Sequence, residues 1–162
     1  MRYRRLTVAG ASYFFTVVTY RRQPFFAEIE AVEMLQAAVE RVRQRRPFIV
    51  EAQVIMPDHL HALWTLPDGD CNYATRWRLI KEAFTREYAL RYRLPARDAG
   101  RRARGEQAVW QRRYWEHLIR DDRDFSAHVE YIHFNPVRKG LAAKPEEWRW
   151  SSFAAHRTVA RC

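Results

Sequence analysis

Cysteine is scarce in this sequence. The 162 residues include two cysteines, Cys71 and Cys162, and these two do not form a CxxC pair. This scarcity excludes a disulfide framework and a cysteine-based zinc knuckle. We therefore expect a protein of a reducing, intracellular compartment.

Long hydrophobic runs are also absent. A membrane-spanning helix needs about 18 or more uninterrupted apolar residues, and no stretch of the sequence approaches that length. Residues 12–19 are rich in aromatic and apolar side chains, but threonine interrupts the run, and Tyr20, Arg21 and Arg22 follow it at once. Such a segment is typical neither of a signal peptide nor of a membrane span. We expect no association with a membrane.

Basic and aromatic residues are abundant instead. Lysine and arginine number 29 against 19 acidic residues, which gives a net charge of +10 and a pI near 10.2. Aromatic residues make up 14% of the chain, more than a core of this size needs. A positive surface favours a polyanionic partner, and exposed rings among arginines favour single-stranded nucleic acid. A basic protein kept soluble by its charge is the alternative.

The length and the hydrophobic pattern predict one α+β domain that spans residues 1–162. A chain of this length with 48% hydrophobic residues has the size of one ordinary domain. The periodicity predicts strand, helix, strand, strand, helix, strand and helix, in that order. The predicted ranges are 12–19, 28–45, 48–56, 60–66, 72–92, 109–119 and 121–135. This order is that of the ferredoxin-like or RRM-like split βαβ fold, an antiparallel sheet with helices mostly on one face.

Two segments lie outside these predicted elements. Residues 94–107 contain proline, glycine and four arginines without periodicity, which predicts a mobile loop that contacts nucleic acid. The last helix is expected to end at Pro136 and Gly140. The tail, residues 141–162, contains two tryptophans and a phenylalanine that must pack somewhere, and we expect it to fold back on the body.

His59 and His61 are candidate metal ligands. They lie at the start of the third predicted strand, where successive side chains alternate between the faces of a sheet. Both imidazoles therefore point to one side, and Leu60 points to the other. Two imidazole nitrogens on one face can bind one metal ion. Two surface histidines without a metal are the alternative.

The last predicted helix carries a candidate nucleophile, Tyr131. At about 100° per residue, Tyr131 and Asn135 are neighbours on one stripe of this helix, which also carries His128. A separate stripe is expected to be buried, formed by Phe125, Val129 and Ile132. A tyrosine hydroxyl becomes a nucleophile only beside a cation or base that favours the phenolate, and a metal on the histidine pair would supply that charge. An interfacial aromatic side chain is the alternative.

Three blocks of the sequence resemble a known family. The blocks are PDHLHALW at residues 57–64, WQRRYWEHLIRDDRDFSAHVEYIHFNPVRKGL at residues 110–141 and WSSF at residues 150–153. They are similar to the REP-associated tyrosine transposases of bacteria, single-tyrosine members of the HUH endonuclease superfamily. The resemblance runs from about Arg4 to Phe153. The histidine pair, the WQRRYWEH block and the tyrosine helix come in the order that the family has.

The resemblance implies a single-stranded DNA endonuclease and strand transferase with an RRM-like core. The family's histidine pair, which His59 and His61 match, binds Mg²⁺ or Mn²⁺. The helix tyrosine, which Tyr131 matches, attacks a DNA phosphate to give a 5′-phosphotyrosine and a free 3′-hydroxyl. A polar side chain one helical turn later completes the metal site, and Asn135 occupies that position with an oxygen that suits a hard cation.

The resemblance also implies the partners of the chain. They are single-stranded or hairpin DNA at repetitive palindromic elements, bound by a monomer in the bacterial cytoplasm at the nucleoid. The candidate phosphate contacts are Arg76, Lys81, Arg112 and Arg113. Arg76 and Lys81 lie on the second predicted helix, and we expect both to face solvent.

Further polar residues lie near the two motifs. Asp58 and Glu116 are candidates to orient an imidazole by accepting its second N–H, and Asp58 is adjacent to the histidine pair. His117 and His128 are candidates for additional metal ligands or bases. A structural hydrogen bond is the alternative for each of these two histidines.

Two other functions fit parts of the sequence. A non-catalytic, RRM-like nucleic-acid-binding module accounts for the charge, the aromatic residues and the fold, but leaves the histidine pair and the tyrosine as a coincidence. A metal-dependent phosphodiesterase, in which the histidines activate water, needs no tyrosine. Dependence on divalent metal separates the endonuclease from the binding module. Covalent capture of DNA separates the endonuclease from the phosphodiesterase.

Overall fold

The computed structural model describes residues 7–155, which form four strands and four α-helices. The strands are β1 (Ser12–Val18), β2 (Ile49–Met56), β3 (His59–Thr65) and β4 (Trp115–Leu118). The helices are α1 (Ile29–Arg45), α2 (Tyr73–Arg91), α3 (Ala99–Arg104) and α4 (Asp122–Arg138). Short 3-10 turns lie at Tyr20–Arg22, Phe25–Ala27 and Pro145–Glu147. No helix within residues 7–155 is long and apolar enough to cross a membrane.

The strands form one antiparallel sheet in the order β2-β3-β1-β4. A tight turn at Pro57 and Asp58 joins β2 to β3, as the sequence of this hairpin predicts. The chain passes from β1 to β2 through α1, and from β3 to β4 through α2 and α3. This arrangement confirms the predicted α+β fold of the split βαβ type.

Side-chain alternation along the strands gives the sheet two buried faces. One face packs against α1 and α2, and its strand residues are Tyr13, Phe15, Val17, Ile55, Leu60, Ala62 and Trp64. The other face packs against α4, and its core residues include Phe14, Val54, Met56, Leu63 and Ile132. Ile132 is fully buried, which contributes about 1.5–3 kcal/mol. The largest helices thus divide between the faces, two on one side and α4 on the other.

The segment predicted to be a mobile loop contains a helix. The carboxylate of Asp98 caps the first turn of α3 by accepting from the N–H of Arg101 at 2.8 Å, and Gly105 ends the helix with a φ of 67°. Arg101 is buried, donates to the carbonyl of Trp110 at 2.8 Å and lies 4.1 Å from the ring centroid of Tyr20. The prediction of a mobile loop is therefore wrong for residues 99–104, because Asp98 caps a helix there and the buried Arg101 anchors it.

β4 is shorter than the strand predicted at residues 109–119. Trp110 forms an isolated bridge with Thr19, and Trp115 pairs with Thr16. These two pairings are five residues apart on this strand and three apart on its partner, so the chain bulges between them. The exposed residues Arg112 and Arg113 lie in the bulge. The bulge interrupts the ladder, which is why the regular strand begins at residue 115.

α4 continues beyond the predicted end at about Asn135. Pro136 lies inside the helix, and the last helical residue is Arg138. Gly140, with a φ of 70°, closes the helix: its N–H donates to the carbonyl of Val137 at 3.0 Å, and the N–H of residue 141 donates to the carbonyl of Pro136 at 2.9 Å. The predicted stop at Pro136 is wrong, since a proline removes one hydrogen bond without ending this helix. Asn135 consequently stays helical, one turn after Tyr131.

The segment after α4 runs along the outer edge of β2. The indole N–H of Trp148 donates to the carbonyl of Ile55 at 2.9 Å, and the N–H of Ile55 donates to the carbonyl of Trp150 at 2.8 Å. The N–H of Ser152 donates to the carbonyl of Gln53 at 2.9 Å. Residues 156–162 of the predicted tail, like residues 1–6, lie outside the described residues.

Candidate active site

His59 and His61 lie on β3 and point to the face that α4 covers. His61 has Thr16 of β1 as its neighbour on one side and Val54 of β2 on the other. The two histidines are 7% and 4% exposed, and their ring centroids are 4.9 Å apart. The alternation of side chains along the strand therefore brings the two predicted ligands together in a buried position.

A hydrogen bond at Nδ1 orients each imidazole. The Nδ1 of His59 lies 2.6 Å from Oδ1 of Asp58, and the Nδ1 of His61 lies 2.8 Å from Oγ1 of Thr16. Oxygen partners of this kind fix the ring plane and the tautomer of a metal-binding histidine. With the hydrogen on Nδ1, Nε2 of each ring keeps the lone pair that can bind a metal ion. This geometry fits the orienting role expected of Asp58.

Asp58 is held from two directions. Its carbonyl accepts from the N–H and the hydroxyl of Thr19, at 3.0 and 2.9 Å, and its Oδ2 accepts from Arg22 at 3.2 Å. Burial raises the pKa of Asp58, but hydrogen bonds from His59 and Arg22 outweigh that effect and bring the pKa below its ordinary 3.8. A charged carboxylate therefore stands behind the imidazole of His59.

Arg21 and Arg22 adopt left-handed backbone conformations, with φ of 51° and 52°. This conformation costs a non-glycine residue about 1–2 kcal/mol. The turn follows directly on β1 and brings the guanidinium of Arg22 to Asp58. Strained backbone of this kind clusters at functional sites, where it holds a group in position. The strain at residues 21 and 22 is therefore a second feature that favours a functional centre around His59.

Tyr131 lies beside the histidine pair of the same chain. Its ring centroid is 5.2 Å from that of His61, with 74° between the ring planes, and 5.8 Å from that of Phe14. The guanidinium of Arg138, about two turns further along α4, lies 5.2 Å from the centroid of the Tyr131 ring. The buried stripe of α4 that includes Ile132 fixes the helix on the sheet. Docking of α4 thus brings the predicted nucleophile next to one predicted ligand.

Asn135 carries a buried oxygen that lacks a partner. The residue is 1% exposed, and its Oδ1 has no hydrogen-bond partner among the described residues. It lies one turn after Tyr131, which contacts His61, and one turn before Lys139, whose charge acts on His61. An unpaired buried carbonyl oxygen costs about 1–3 kcal/mol, and a hard cation would satisfy it. Two imidazole nitrogens and this oxygen fit a divalent metal ion.

Burial keeps the imidazole of His61 neutral. Burial lowers its pKa from 6.5 to about 3, and the positive charges of His59 and Lys139 act in the same direction. A metal ion can bind an imidazole only when the ligating nitrogen carries no proton. His61 is therefore in the metal-binding form at physiological pH without any need to lose a proton first.

The stability of the metal-free protein should fall as the pH drops below about 6.5. The folded chain keeps His61 neutral down to about pH 3, while the unfolded chain protonates it near 6.5, so the unfolded state binds more protons in this window. This group alone should lower the free energy of unfolding by about 1.4 kcal/mol per pH unit within the window. Urea unfolding in EDTA across the window measures the slope. The variant His61→Asn should have a shallower slope, and equal slopes would assign the acid sensitivity to other groups.

A cavity of about 340 Å³ opens beside the nucleophile. Its walls are Phe14, Thr16, Trp115, Ala127, His128 and Tyr131. Trp115 is 58% exposed at this cavity. Neither Trp115 nor Arg138 is among the site residues predicted from the sequence. Trp115 precedes His117 by two residues on one strand, so the alternation of β4 could have indicated that both face the same side.

Arg76 does not face solvent, and that prediction is wrong. The residue is 2% exposed. Its guanidinium donates to the carbonyls of Arg46 and Pro47, at 3.1 and 2.8 Å, and to Oδ2 of Asp70 at 2.7 Å. A buried guanidinium with these partners ties the start of α2 to the end of α1. Because it is buried and bonded to oxygens of the protein itself, it is not placed to contact a phosphate at the surface.

Lys81 and Arg112 lie on the α2 side of the sheet, away from the histidine pair. Lys81 is partly buried, donates to the carbonyl of Gln111 at 3.1 Å and lies 5.1 Å from the ring centroid of Tyr114. Lys81 and Arg112 line a groove of about 590 Å³ between α2 and α3. Arg113 is exposed in the neighbouring bulge. Lys81 and Arg112 thus lie on the side of the sheet that α2 covers, and the contact of all three basic residues with phosphates stays a prediction.

The chain is similar to known proteins along nearly its whole length. A REP-associated tyrosine transposase of Escherichia coli K12 is 38% identical over 159 residues, which cover 98% of this chain and 85% of that protein. A protein of Haemophilus influenzae is 39% identical over 157 residues, which cover 97% of this chain and 86% of that protein. No family model matches the chain.

A solved structure shares the fold. It is the structure of a REP-associated tyrosine transposase bound to a REP hairpin, with a TM-score of 0.78 and 37% sequence identity. The match covers 99% of this chain and 86% of that one. Identity of this degree over nearly the whole length, together with a common fold, shows that the chain belongs to the REP-associated tyrosine transposase family.

Proposed function

We propose that the chain is a metal-dependent endonuclease and strand transferase of the HUH type, which acts on single-stranded DNA at hairpin-forming repeats. The observation that carries this proposal is the position of the Tyr131 ring, 5.2 Å from the ring of His61. The unpaired Oδ1 of Asn135 supports it, because a buried carbonyl oxygen one helical turn after Tyr131 needs a cation or a donor. The relative bound to a REP hairpin supports the choice of DNA substrate.

Tyr131 is the proposed nucleophile. Its hydroxyl oxygen forms a bond to the phosphorus of a DNA phosphodiester, while the bond from phosphorus to the 3′ oxygen breaks. The tyrosine proton passes to solvent, the leaving 3′ oxygen takes up a proton, and the 5′ end of the cut strand stays linked to the tyrosine. Attack by a 3′-hydroxyl on this linkage reverses the exchange and joins strands. One residue thus supports both cleavage and strand transfer.

His59, His61 and Asn135 would hold the divalent cation, Mg²⁺ or Mn²⁺. When bound, the ion supplies positive charge beside the phosphate and the attacking oxygen. Asp58 and Thr16 keep the two imidazoles in orientation through the bonds at Nδ1. Arg138 adds fixed positive charge next to the Tyr131 ring. Since Tyr131 contacts His61 of its own chain, we propose that a monomer suffices for the reaction.

Incubation with single-stranded oligonucleotides that carry hairpin repeats of the source genome tests this function. We expect cleavage with Mn²⁺ and none in EDTA, and a covalent protein–DNA species on a denaturing gel. A matched oligonucleotide with the hairpin sequence scrambled controls for nonspecific nuclease activity. Binding without cleavage would favour the RRM-like binding module, and cleavage without a covalent species would favour water as the nucleophile. Either result would overturn the proposal.

Trp115→Ala should weaken binding of single-stranded DNA. Trp115 is 58% exposed at the cavity beside Tyr131, and stacking of a base on an aromatic ring contributes about 1–3 kcal/mol. We expect the dissociation constant to rise about tenfold, as measured by fluorescence anisotropy. Leu90→Ala is the matched control, because Leu90 is 76% exposed on α2, which packs on the opposite face of the sheet. Equal affinities of the two variants would exclude Trp115 from the DNA-binding surface.

A further inference from the structure

A second cluster of metal-binding side chains lies between β4 and α4. His117 on β4, Asp124 in the first turn of α4 and His128 one turn later each offer one ligand atom, and these atoms all lie within 4.8 Å of one another. Nε2 of His117 is 2.8 Å from Oδ2 of Asp124, and Nδ1 of His128 is 3.2 Å from Oδ1. The two imidazoles are nearly parallel, with ring centroids 4.7 Å apart and 17° between their planes.

The fold fixes the carboxylate more firmly than the two imidazoles. The Asp124 side chain is 9% exposed, and its Oδ2 also accepts from the N–H of Arg120 at 3.0 Å. The N–H of Asp124 is capped by Oδ1 of Asp121 at 2.8 Å. The side chains of His117 and His128 are 26% and 24% exposed. The cluster therefore has an anchored oxygen ligand and two nitrogen ligands that border solvent, where water can occupy a fourth position.

Asp124 carries its negative charge at any physiological pH. Burial raises its pKa, but hydrogen bonds from His117 and from the N–H of Arg120, together with the charges of His117 and His128, lower the pKa to about 2. A carboxylate flanked by two imidazoles is complementary to a cation. A divalent ion can take over the attraction that protons on the imidazoles would otherwise supply.

The ligand set is that of a zinc site. Two imidazole nitrogens and one carboxylate oxygen, with water in the fourth position, occur in tetrahedral zinc centres. Zinc bonds of about 2.0–2.1 Å separate neighbouring ligand atoms by about 3.3 Å. The measured 2.8 and 3.2 Å are close to this value. Nδ1 of His128 also lies 2.8 Å from the backbone carbonyl of Asp124, so the ion would enter once the imidazole of His128 rotates away from that carbonyl. Mg²⁺ prefers oxygen ligands and octahedral geometry, which this cluster does not offer.

The cluster borders the candidate active site, since His128 also lines the cavity beside Tyr131, but its ligands are different. It shares no residue with the set of His59, His61 and Asn135, and the Phe14 ring contacts both groups, with centroids 5.5 Å from His61 and 4.8 Å from His128. The hydrogen bonds of the cluster connect β4 with the first two turns of α4. Those turns precede Tyr131 on the same helix, so an ion here would fix the helix at the end opposite to Asn135.

We propose that His117, Asp124 and His128 form a second metal site, which binds Zn²⁺ and clamps the start of α4 to β4. The ligand geometry carries this inference whether or not Tyr131 cleaves DNA. A direct consequence is that Zn²⁺ stabilises the folded chain, because an ion that binds only the native state raises its stability by mass action.

The proposal is tested by measuring zinc binding to a variant that lacks the two histidines of the candidate active site. The pair variant, His59→Ala with His61→Ala, removes the ligands on β3. By equilibrium dialysis of the full chain, we expect it to bind one equivalent of Zn²⁺ and to show a higher melting temperature with Zn²⁺ than with Mg²⁺. Adding His117→Ala and His128→Ala to the pair variant should weaken zinc binding by at least about a hundredfold. Circular dichroism checks that each variant is folded.

Asp124→Asn in the pair variant is the conservative control for folding. It keeps an oxygen that can accept from His117 and Arg120, but it removes the charge that attracts the ion. A loss of zinc affinity with an unchanged melting temperature in EDTA would support the proposal. Absence of Zn²⁺ binding by a folded pair variant would overturn it and leave a hydrogen-bonded network only. Zinc affinity that survives both the Asp124 and the two histidine substitutions would overturn it as well.

Discussion

The variant Tyr131→Phe should form no covalent protein–DNA species, and its cleavage of hairpin oligonucleotides should fall by at least about a thousandfold. Phenylalanine keeps the ring that contacts His61 and Phe14 and removes only the hydroxyl oxygen that attacks phosphorus. The free energy of unfolding should change by less than about 0.5 kcal/mol. A denaturing gel with end-labelled substrate measures the adduct, and anisotropy measures binding, which should be retained.

Tyr92→Phe is the matched control for loss of a tyrosine hydroxyl. Tyr92 directly follows α2, and its hydroxyl donates to Glu30, so the change leaves the sheet face covered by α4 untouched. This variant should cleave as the wild type does. A shifted protein–DNA band from the Tyr131 variant would show that another tyrosine is the nucleophile. Full cleavage by that variant without a shifted band would show that water is the nucleophile.

The double variant His59→Ala, His61→Ala should also lose cleavage by at least about a thousandfold. The two imidazoles offer Nε2 to a metal, and alanine removes both nitrogens together with the bonds to Asp58 and Thr16. DNA affinity should stay within about threefold, because phosphate contacts come from basic residues elsewhere on the surface. Removing two buried side chains should cost about 1–3 kcal/mol of stability. Cleavage assays in Mn²⁺ and chemical denaturation measure the two effects separately.

His133→Asn controls for the general cost of losing a buried imidazole. His133 is 5% exposed on α4, and its Nε2 lies 3.0 Å from Oγ of Ser152, on the side of the helix that meets the carboxyl-terminal segment. This variant should lose stability but keep cleavage at temperatures where it is folded. If His133→Asn loses cleavage as completely as the double variant does, the loss in the double variant comes from impaired folding and not from a lost metal site. Undiminished cleavage by the double variant would show that His59 and His61 do not hold the catalytic metal ion.

Two backbone periods made the local parts of the candidate site predictable. The two-residue period of a strand puts His59 and His61 on one face, and the period of a helix puts Tyr131 and Asn135 on one stripe. Both periods follow from backbone geometry and need no knowledge of the rest of the chain. The order of strands in the sheet was predictable for a similar reason, since few topologies suit this order of elements.

The remaining features depend on contacts between distant segments. Nothing local distinguishes Arg76 and Arg101 from surface arginines, and they are buried because carbonyls of other segments accept from them. The docking of α4 on the sheet depends on the whole core around Ile132. Trp115 reaches the cavity only because the bulge at residues 112 and 113 sets the register of β4 against β1. Such long-range packing is not encoded in a window of sequence.

The covered second half of the outer edge of β2 matters when many copies of the chain are present at high concentration. An exposed edge strand is a template on which other chains can add strands and aggregate. Here the segment around Trp150 and Ser152 bonds to Gln53 and Ile55 in the second half of β2, and the opposite edge, β4, is only four residues long. Within residues 7–155, neither edge offers a long unpaired strand. Copies with a charge of +10 that crowd onto one polyanion would therefore lie side by side without polymerising through their sheets.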